Sequence, residues 1–178
     1  MPFRSSTRVW FNTWKKNKRM THQLQVARQT TAVVSLGLLV KFYFTTIVQG
    51  GTRFKSGSRP PEDGRSKRAV VPQNFGIASA EGETEDAKHA KLAELRWVRI
   101  VQNDLENVPM GLIVAWSSLQ NPYNATVHAV AVAVFGISRY VHTWAYAKGK
   151  QPHRTIAWLA GVASTLTLAI NGVLGVFA

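Results

Sequence analysis

Four polar residues recur along one apolar stretch of this 178-residue chain at spacings of three, four and three: Arg96, Arg99, Asn103 and Glu106. On a helix that rhythm places them on one face. Arg139, His142 and Tyr146 follow at spacings of three and four, Arg154, Thr155 and Trp158 open the last apolar stretch, and Arg53 closes the first. Arginine grips carboxylates through paired hydrogen bonds and stays charged when partly desolvated. A layer of Arg53, Arg96, Arg99, Arg139 and Arg154 therefore suits an anionic ligand with several carboxylates. Its acids are Asp104 and Glu106. Glu106 reads as a holder of the ligand's amino group, Asp104 as an interhelical salt bridge, Lys41 as an interior helix partner and Arg96 as a snorkelling anchor. The plainer alternative is that both acids only neutralise the arginines. His142 reads equally as a ligand contact and as a satisfied core hydrogen bond.

The elements that must position these residues are long and apolar. Segments 29–50, 94–118, 122–147 and 153–177 each reach the roughly 20 residues that a spanning helix needs. From Thr155 to Ala178 there is no ionisable residue, so the last segment has no polar face, which argues against a soluble bundle. Gly, Ala, Ser and Thr are frequent in the last two segments and let membrane helices approach closely. The expected fold is all-α: an integral membrane four-helix bundle over residues 29–178, with a long polar loop over about 51–92, basic first and acidic ("EGETED") later. Ionisable groups inside such helices are costly and by default functional. Pro109 is expected to bend the second helix where the polar layer ends.

The charge is lopsided, with 22 Lys+Arg against 9 Asp+Glu and a net +13. No acid occurs from Met1 to Pro61. That split resembles a membrane protein with a basic arm and not a nucleic-acid binder, whose cations would line a folded face. Residues 1–28 are basic and hydroxyl-rich, with a short apolar face of Val9, Trp10, Phe11 and Trp14. They are similar to a mitochondrial transit peptide. If retained, they read as an arm for anionic lipid or for a partner protein. The positive-inside rule puts the 51–92 loop and the basic 148–154 turn on one side and both termini on the other, a reading the basic arm contradicts. The sequon at Asn124 lies too near the membrane for use. With no cysteine in the chain, any thiol chemistry needs a thiol brought by a ligand, and no metal site is expected.

"RWVRIVQNDLENVP" resembles the second-helix signature of the MAPEG family, the membrane-associated proteins in eicosanoid and glutathione metabolism. "SRYVHTWAYAKGKQPHR" is similar to the family's helix-three end and turn, and "RPPED" to its loop motif. Lys41 with Arg53 twelve residues on also fits. The resemblance covers residues 30–178 and lies nearest the microsomal glutathione transferase branch. It implies a homotrimer of four-helix subunits with glutathione bound in a U shape between neighbours, and a lipophilic second substrate. Carried over by motif, it makes Arg53, Arg99, Asn103, Glu106, Arg139, His142 and Tyr146 the glutathione layer. It puts Arg154 near the sulfur, Thr155 beside it, and Asp63 in a catalytic position. A thiol needs a nearby positive charge to ionise near neutral pH, and Arg154 at the start of a helix supplies one.

The pattern also departs from the family. Val98, Ile100, Val101 and Gln102 stand where the signature carries histidine or basic residues, and Leu95 where it often has glutamate. The helix 3–4 turn is one residue shorter, the loop before "PED" is slightly reset, and the basic arm is not a usual feature. Each lost charged hydrogen bond would weaken binding by about 1.5–3 kcal/mol. The expected activity is conjugation of glutathione to lipophilic electrophiles or reduction of lipid hydroperoxides. The rival is a non-catalytic MAPEG-fold accessory subunit among unrelated subunits of a larger, for instance mitochondrial respiratory, membrane complex. A third reading is a lipid-binding module with the arginine layer on headgroups. A mitochondrial membrane is the first expectation for location and the endoplasmic reticulum the second.

Overall fold

The computed structural model describes residues 4–77 and 84–178, with side chains at Trp10 and from Thr13 on. Glu81 and Glu83, part of the acidic end of the loop, lie outside the described residues, as do the side chains of Val9 and Phe11. All regular structure in the described residues is helical. Helix α1 runs from Arg4 to Ser56, α2 from Glu85 to Ser118, α3 from Ala125 to Ala147 and α4 from Gln151 to Phe177, with a single 3-10 turn over Pro61–Arg65.

At 1.5 Å per residue, α1 is about 80 Å long, far more than a bilayer needs. It does not break between the basic residues 1–28 and the apolar segment after them. Nothing in the sequence would break it, because no proline or glycine occurs from Phe3 to Leu36. It ends where the chain must turn. Gly57 takes φ +79° and Ser58 N–H donates to the Arg53 carbonyl, the hydrogen bond of a Schellman stop. Gln73 pins the loop beyond, donating to the Phe54 and Val71 carbonyls at 3.0 and 2.7 Å and accepting from Arg59 N–H.

The other helices carry their own signals. The hydroxyl of Thr84 accepts from Ala87 N–H, and Glu85 and Asp86 lie in the first turn of α2, where the helix dipole favours acids. Asn124 caps α3 by accepting from Thr126 and Val127 N–H. Gly149, at φ +67°, closes α3 with a second Schellman turn, and Pro152 starts α4. Pro109 lies within α2, which stays helical to Ser118.

The bundle is apolar outside, and its interior mixes apolar clusters with buried polar groups. Leu38, Val108 and Phe135 form one core cluster and Ala115, Ala131, Val132 and Leu168 another. Lys41, Asp104, Arg139 and His128 are buried with them. His128 sits between the hydroxyls of Thr31 and Ser118, at 3.1 and 3.2 Å. By contrast, Val33, Leu36, Leu39, Ile47, Ile113, Ile137, Leu159, Ile170 and Phe177 are exposed. An apolar surface this extensive marks a lipid-facing protein. By length and composition α1 and α4 can each cross a membrane. The protein is thus an integral membrane four-helix bundle.

Packing at the α2–α3 crossing depends on Gly111. A Cβ there would run into the Phe135 ring. Gly111→Ala is therefore expected to destabilise the bundle by about 1–3 kcal/mol. Phe135→Leu in the same chain should restore part of that loss in a detergent unfolding series.

Candidate functional site

The helix ends bearing the candidate residues gather at one end of the bundle. The C-terminus of α1, the first turns of the membrane part of α2, the end of α3 and the start of α4 lie together there. Arg96 bridges two of them, donating to the Tyr146 carbonyl at 3.2 Å. Gly149 makes room for it, since a Cβ on that residue would stand 3.0 Å from the Arg96 guanidinium. Arg96, read as a snorkelling anchor, is exposed and ties α2 to the last turn of α3.

The candidate residues separate into an inner and an outer set. The inner set surrounds Asp104, which is 1% exposed and uses both carboxylate oxygens. Lys41 Nζ donates to Oδ2 at 2.6 Å and Arg139 Nη2 to Oδ1 at 3.2 Å. The same Nη2 donates to the Asn103 side-chain oxygen. So α1, α2 and α3 are pinned by one carboxylate shared between two cations, leaving about one net positive charge in the bundle interior. Asp104 and Lys41 thus have the interhelical roles read from the sequence. His142 is buried beside this cluster, its ring 5.8 Å from that of Tyr146. Arg139 Nε, His142 Nδ1 and Thr143 Oγ1 are buried with no hydrogen-bond partner among the described residues. They fall within about one turn of α3, whose polar capacity the described residues do not fill.

The outer set faces away from that core. Arg53, Arg99, Glu106 and Thr155 are exposed, and Arg154 and Tyr146 are half-buried. Arg99 and Glu106 make no ion pair among the described residues. The Arg154 guanidinium lies over the Tyr146 ring, 4.7 Å from its centre, which fixes a cation in the first turn of α4. Asn103 and Arg139 are therefore together, and Tyr146 and Arg154 are together. Asp63 stands apart from both, in the 3-10 turn, with Oδ2 2.5 Å from Arg59 Nε. Arg139, expected in the ligand layer, has its Nη2 committed to Asn103 and Asp104.

The sequence does not single out one further residue of this end. Glu94 accepts from the Ser56 hydroxyl at 2.6 Å and the Ser58 hydroxyl at 2.5 Å, and lies 3.7 Å from Arg53 Nε. It is the only acid between Asp86 and Asp104, the one signal that draws attention to it. Arg53, Ser58, Lys91, Glu94, Leu95 and Val98 line a cleft of about 550 Å³ there. Of the positions where the family signature has basic residues, Ile100 and Val101 are buried, Val98 borders that cleft and Gln102 is exposed.

The outer set presents charges of the kind that would complement a zwitterion with several carboxylates. Arg99 offers a guanidinium to a carboxylate, Glu106 a carboxylate to an ammonium, and Arg154 a fixed positive charge for an anion formed nearby. The protein-family model for the MAPEG family matches residues 31–174, which hold both sets, all of α2 and α3 and the bundle-packed parts of α1 from Thr31 and of α4 to Leu174. No curated protein matches the chain.

Proposed function

The chain belongs to the MAPEG family, and from that premise we propose that it is a glutathione-dependent membrane transferase or peroxidase acting on lipophilic electrophiles or lipid hydroperoxides. One observation carries the reading: the outer set keeps Arg99 and Glu106 exposed and unpaired while Arg154 is held on Tyr146 at the start of α4. Ordering a guanidinium costs side-chain entropy, and the ring contact offsets that cost, so the charge is presented in one place. Glutathione fits the donors present. Its carboxylates suit Arg53 and Arg99, its ammonium suits Glu106, and Asn103 and Tyr146 offer polar contacts between them. Glutathione supplies the thiol that the cysteine-free chain lacks. Arg154, helped by the α4 dipole, holds that sulfur as thiolate. Thr155 stands beside Arg154 and is exposed. Asp63 enters the proposal only through the family resemblance, as the catalytic aspartate of the loop; here it is paired with Arg59 and stands apart from Arg154.

Because Arg99 and Glu106 point out of the single subunit, the proposed site completes itself between neighbouring copies, as a homotrimer would allow. A mitochondrial membrane is the proposed location, on the strength of the acid-free basic N-terminal residues. The long uninterrupted α1 favours a second reading, a MAPEG-fold accessory subunit in a larger membrane complex, for which the surplus helix would be a tether. Native mass spectrometry separates the two, since three identical copies suit the enzyme and one copy among unrelated subunits suits the tether.

Calorimetric titration of the detergent-solubilised protein with glutathione is the direct test. Binding in the millimolar range or tighter is expected. Glu106→Gln should weaken it about 10- to 100-fold, the loss of one charge-assisted hydrogen bond. No heat at millimolar glutathione would end the proposal.

A further inference from the structure

The far end of the bundle holds a second polar cleft, remote from the arginine layer. The bundle-facing stripe of α1 runs through Lys41, Leu38, Thr31 and Ala27, all buried, at helical steps of three, seven and four. Continued toward the N-terminus, the same stripe passes Gln23, Met20 and Lys16. At that level the stripe faces the turn between α2 and α3. The result is a cleft of about 660 Å³ whose polar walls are Arg19 and Gln23 on one side and Gln120, Asn121 and Asn124 on the other, with Tyr123 also lining it.

The chemistry of these walls is one-sided. Neither Met1–Pro61 nor Asn107–Ala178 contains an acidic residue, so no carboxylate side chain lines any wall of the cleft. The side chains of Arg19, Gln23, Gln120 and Asn121 have no hydrogen-bond partner among the described residues. One guanidinium and three amides, all unspent, make a donor set for a phosphate ester. Met20, Leu24 and Pro122 supply apolar wall. The depth also fits. Thr31 meets His128 one turn inside α3, so Arg19–Leu24 lies roughly 10–18 Å beyond that level. That is the headgroup zone, next to the exposed apolar belt that begins with Val33, Leu36, Leu39 and Val40.

We propose that this cleft binds the phosphate headgroup of an anionic phospholipid, with Arg19 on the phosphate, the amides of Gln23, Gln120 and Asn121 on its remaining oxygens, and the acyl chains descending along the apolar belt. Lys16, one turn further out on the same stripe, serves a second phosphate. Diphosphatidylglycerol, which carries two phosphates, is therefore the preferred probe. A soluble phosphate compound has the same headgroup chemistry but no use for the apolar wall.

The test uses the full-length protein, reconstituted with phosphatidylcholine alone or with diphosphatidylglycerol added, then stripped with detergent and weighed intact by native mass spectrometry. The wild type is expected to keep diphosphatidylglycerol and lose phosphatidylcholine. Arg19→Gln and, on the opposite wall, Asn121→Leu should each lower retention about tenfold, with unchanged thermal unfolding confirming the fold. Lys18→Gln, off the stripe with its ammonium over the Trp14 ring, should leave retention as it was. Equal retention of both lipids would overturn the proposal. So would a Lys18→Gln loss as large as that of Arg19→Gln, which means diffuse attraction without a site. Displacement of the lipid by an equal concentration of inorganic phosphate would overturn it in favour of a soluble phosphate. Displacement by an acidic peptide alone would overturn it in favour of a protein partner.

Discussion

Asp104→Asn is expected to destabilise the protein by about 3–5 kcal/mol, more than any other single exchange in the bundle interior. The carboxylate is the only anion between two buried cations, and each of its oxygens has one of them as partner, Lys41 at 2.6 Å and Arg139 at 3.2 Å. Asparagine keeps the shape and one acceptor oxygen but turns an amide N–H₂ toward a cation, and two positive charges are left in a membrane interior without compensation. The order of effects is more diagnostic than the size. Lys41→Met removes the surplus charge and leaves Asp104 with Arg139 as a neutral pair. Its cost should stay within about 1 kcal/mol, as replacing part of a buried ion cluster by an apolar side chain often does. Arg139→Met should fall between the two, because it also leaves Asn103 without its donor. Unfolding in a detergent series reads all three. If Lys41→Met proved as damaging as Asp104→Asn, the shared-carboxylate account of the core would be wrong.

Arg154→Ala should lower glutathione-dependent turnover by about 10²–10³-fold while changing glutathione affinity far less. That is the size of effect seen when one preorganised group that stabilises a developing anion is removed. In the proposed reaction the developing anion is the glutathione sulfur. The guanidinium that faces it is fixed over Tyr146 in the first turn of α4, where the helix dipole adds to its field. Arg154→Lys keeps the charge but not the planar stacking, so it should lie between wild type and alanine. Steady-state conjugation to a lipophilic electrophile measures the rate. The ultraviolet absorbance of the bound thiolate measures the ionisation separately and should disappear in Arg154→Ala. An alanine variant that keeps the thiolate signal but loses turnover would show that Arg154 is not the group that ionises the thiol.

The two halves of the polar layer differ in how far sequence spacing reaches. Spacing alone puts Arg99, Asn103 and Glu106 on one face of a helix, and in the structure they do share a side of α2. Their fates diverge all the same: Asn103 turns to Arg139, and the other two face outward. Steps of three and four residues spread a face over several tens of degrees. A neighbouring helix covers part of that arc, and periodicity does not say which part. Glu94 is still less legible. Its partners Ser56, Ser58 and Arg53 lie about forty residues earlier and meet it only because α1 stops at Gly57.

The helix count and the apolar exterior follow from sequence alone, because both depend on local composition: long runs without breakers, and a last segment with no ionisable group. So does the pairing role of Asp104, since a carboxylate in an apolar helix has to find a cation. The length of α1 belongs to the same level, yet composition misleads there. A change from basic to apolar residues reads as a boundary, but backbone breakers end helices and polarity does not, and α1 has none before Gly37. Only the tertiary structure decided that Lys41 and Arg139 share one carboxylate, that Arg154 rests on Tyr146, and that a cleft opens where α1 outlasts its neighbours. Each of these depends on the relative height and rotation of packed helices, and those are set by long-range contacts such as Gly111 against Phe135 that no local pattern records.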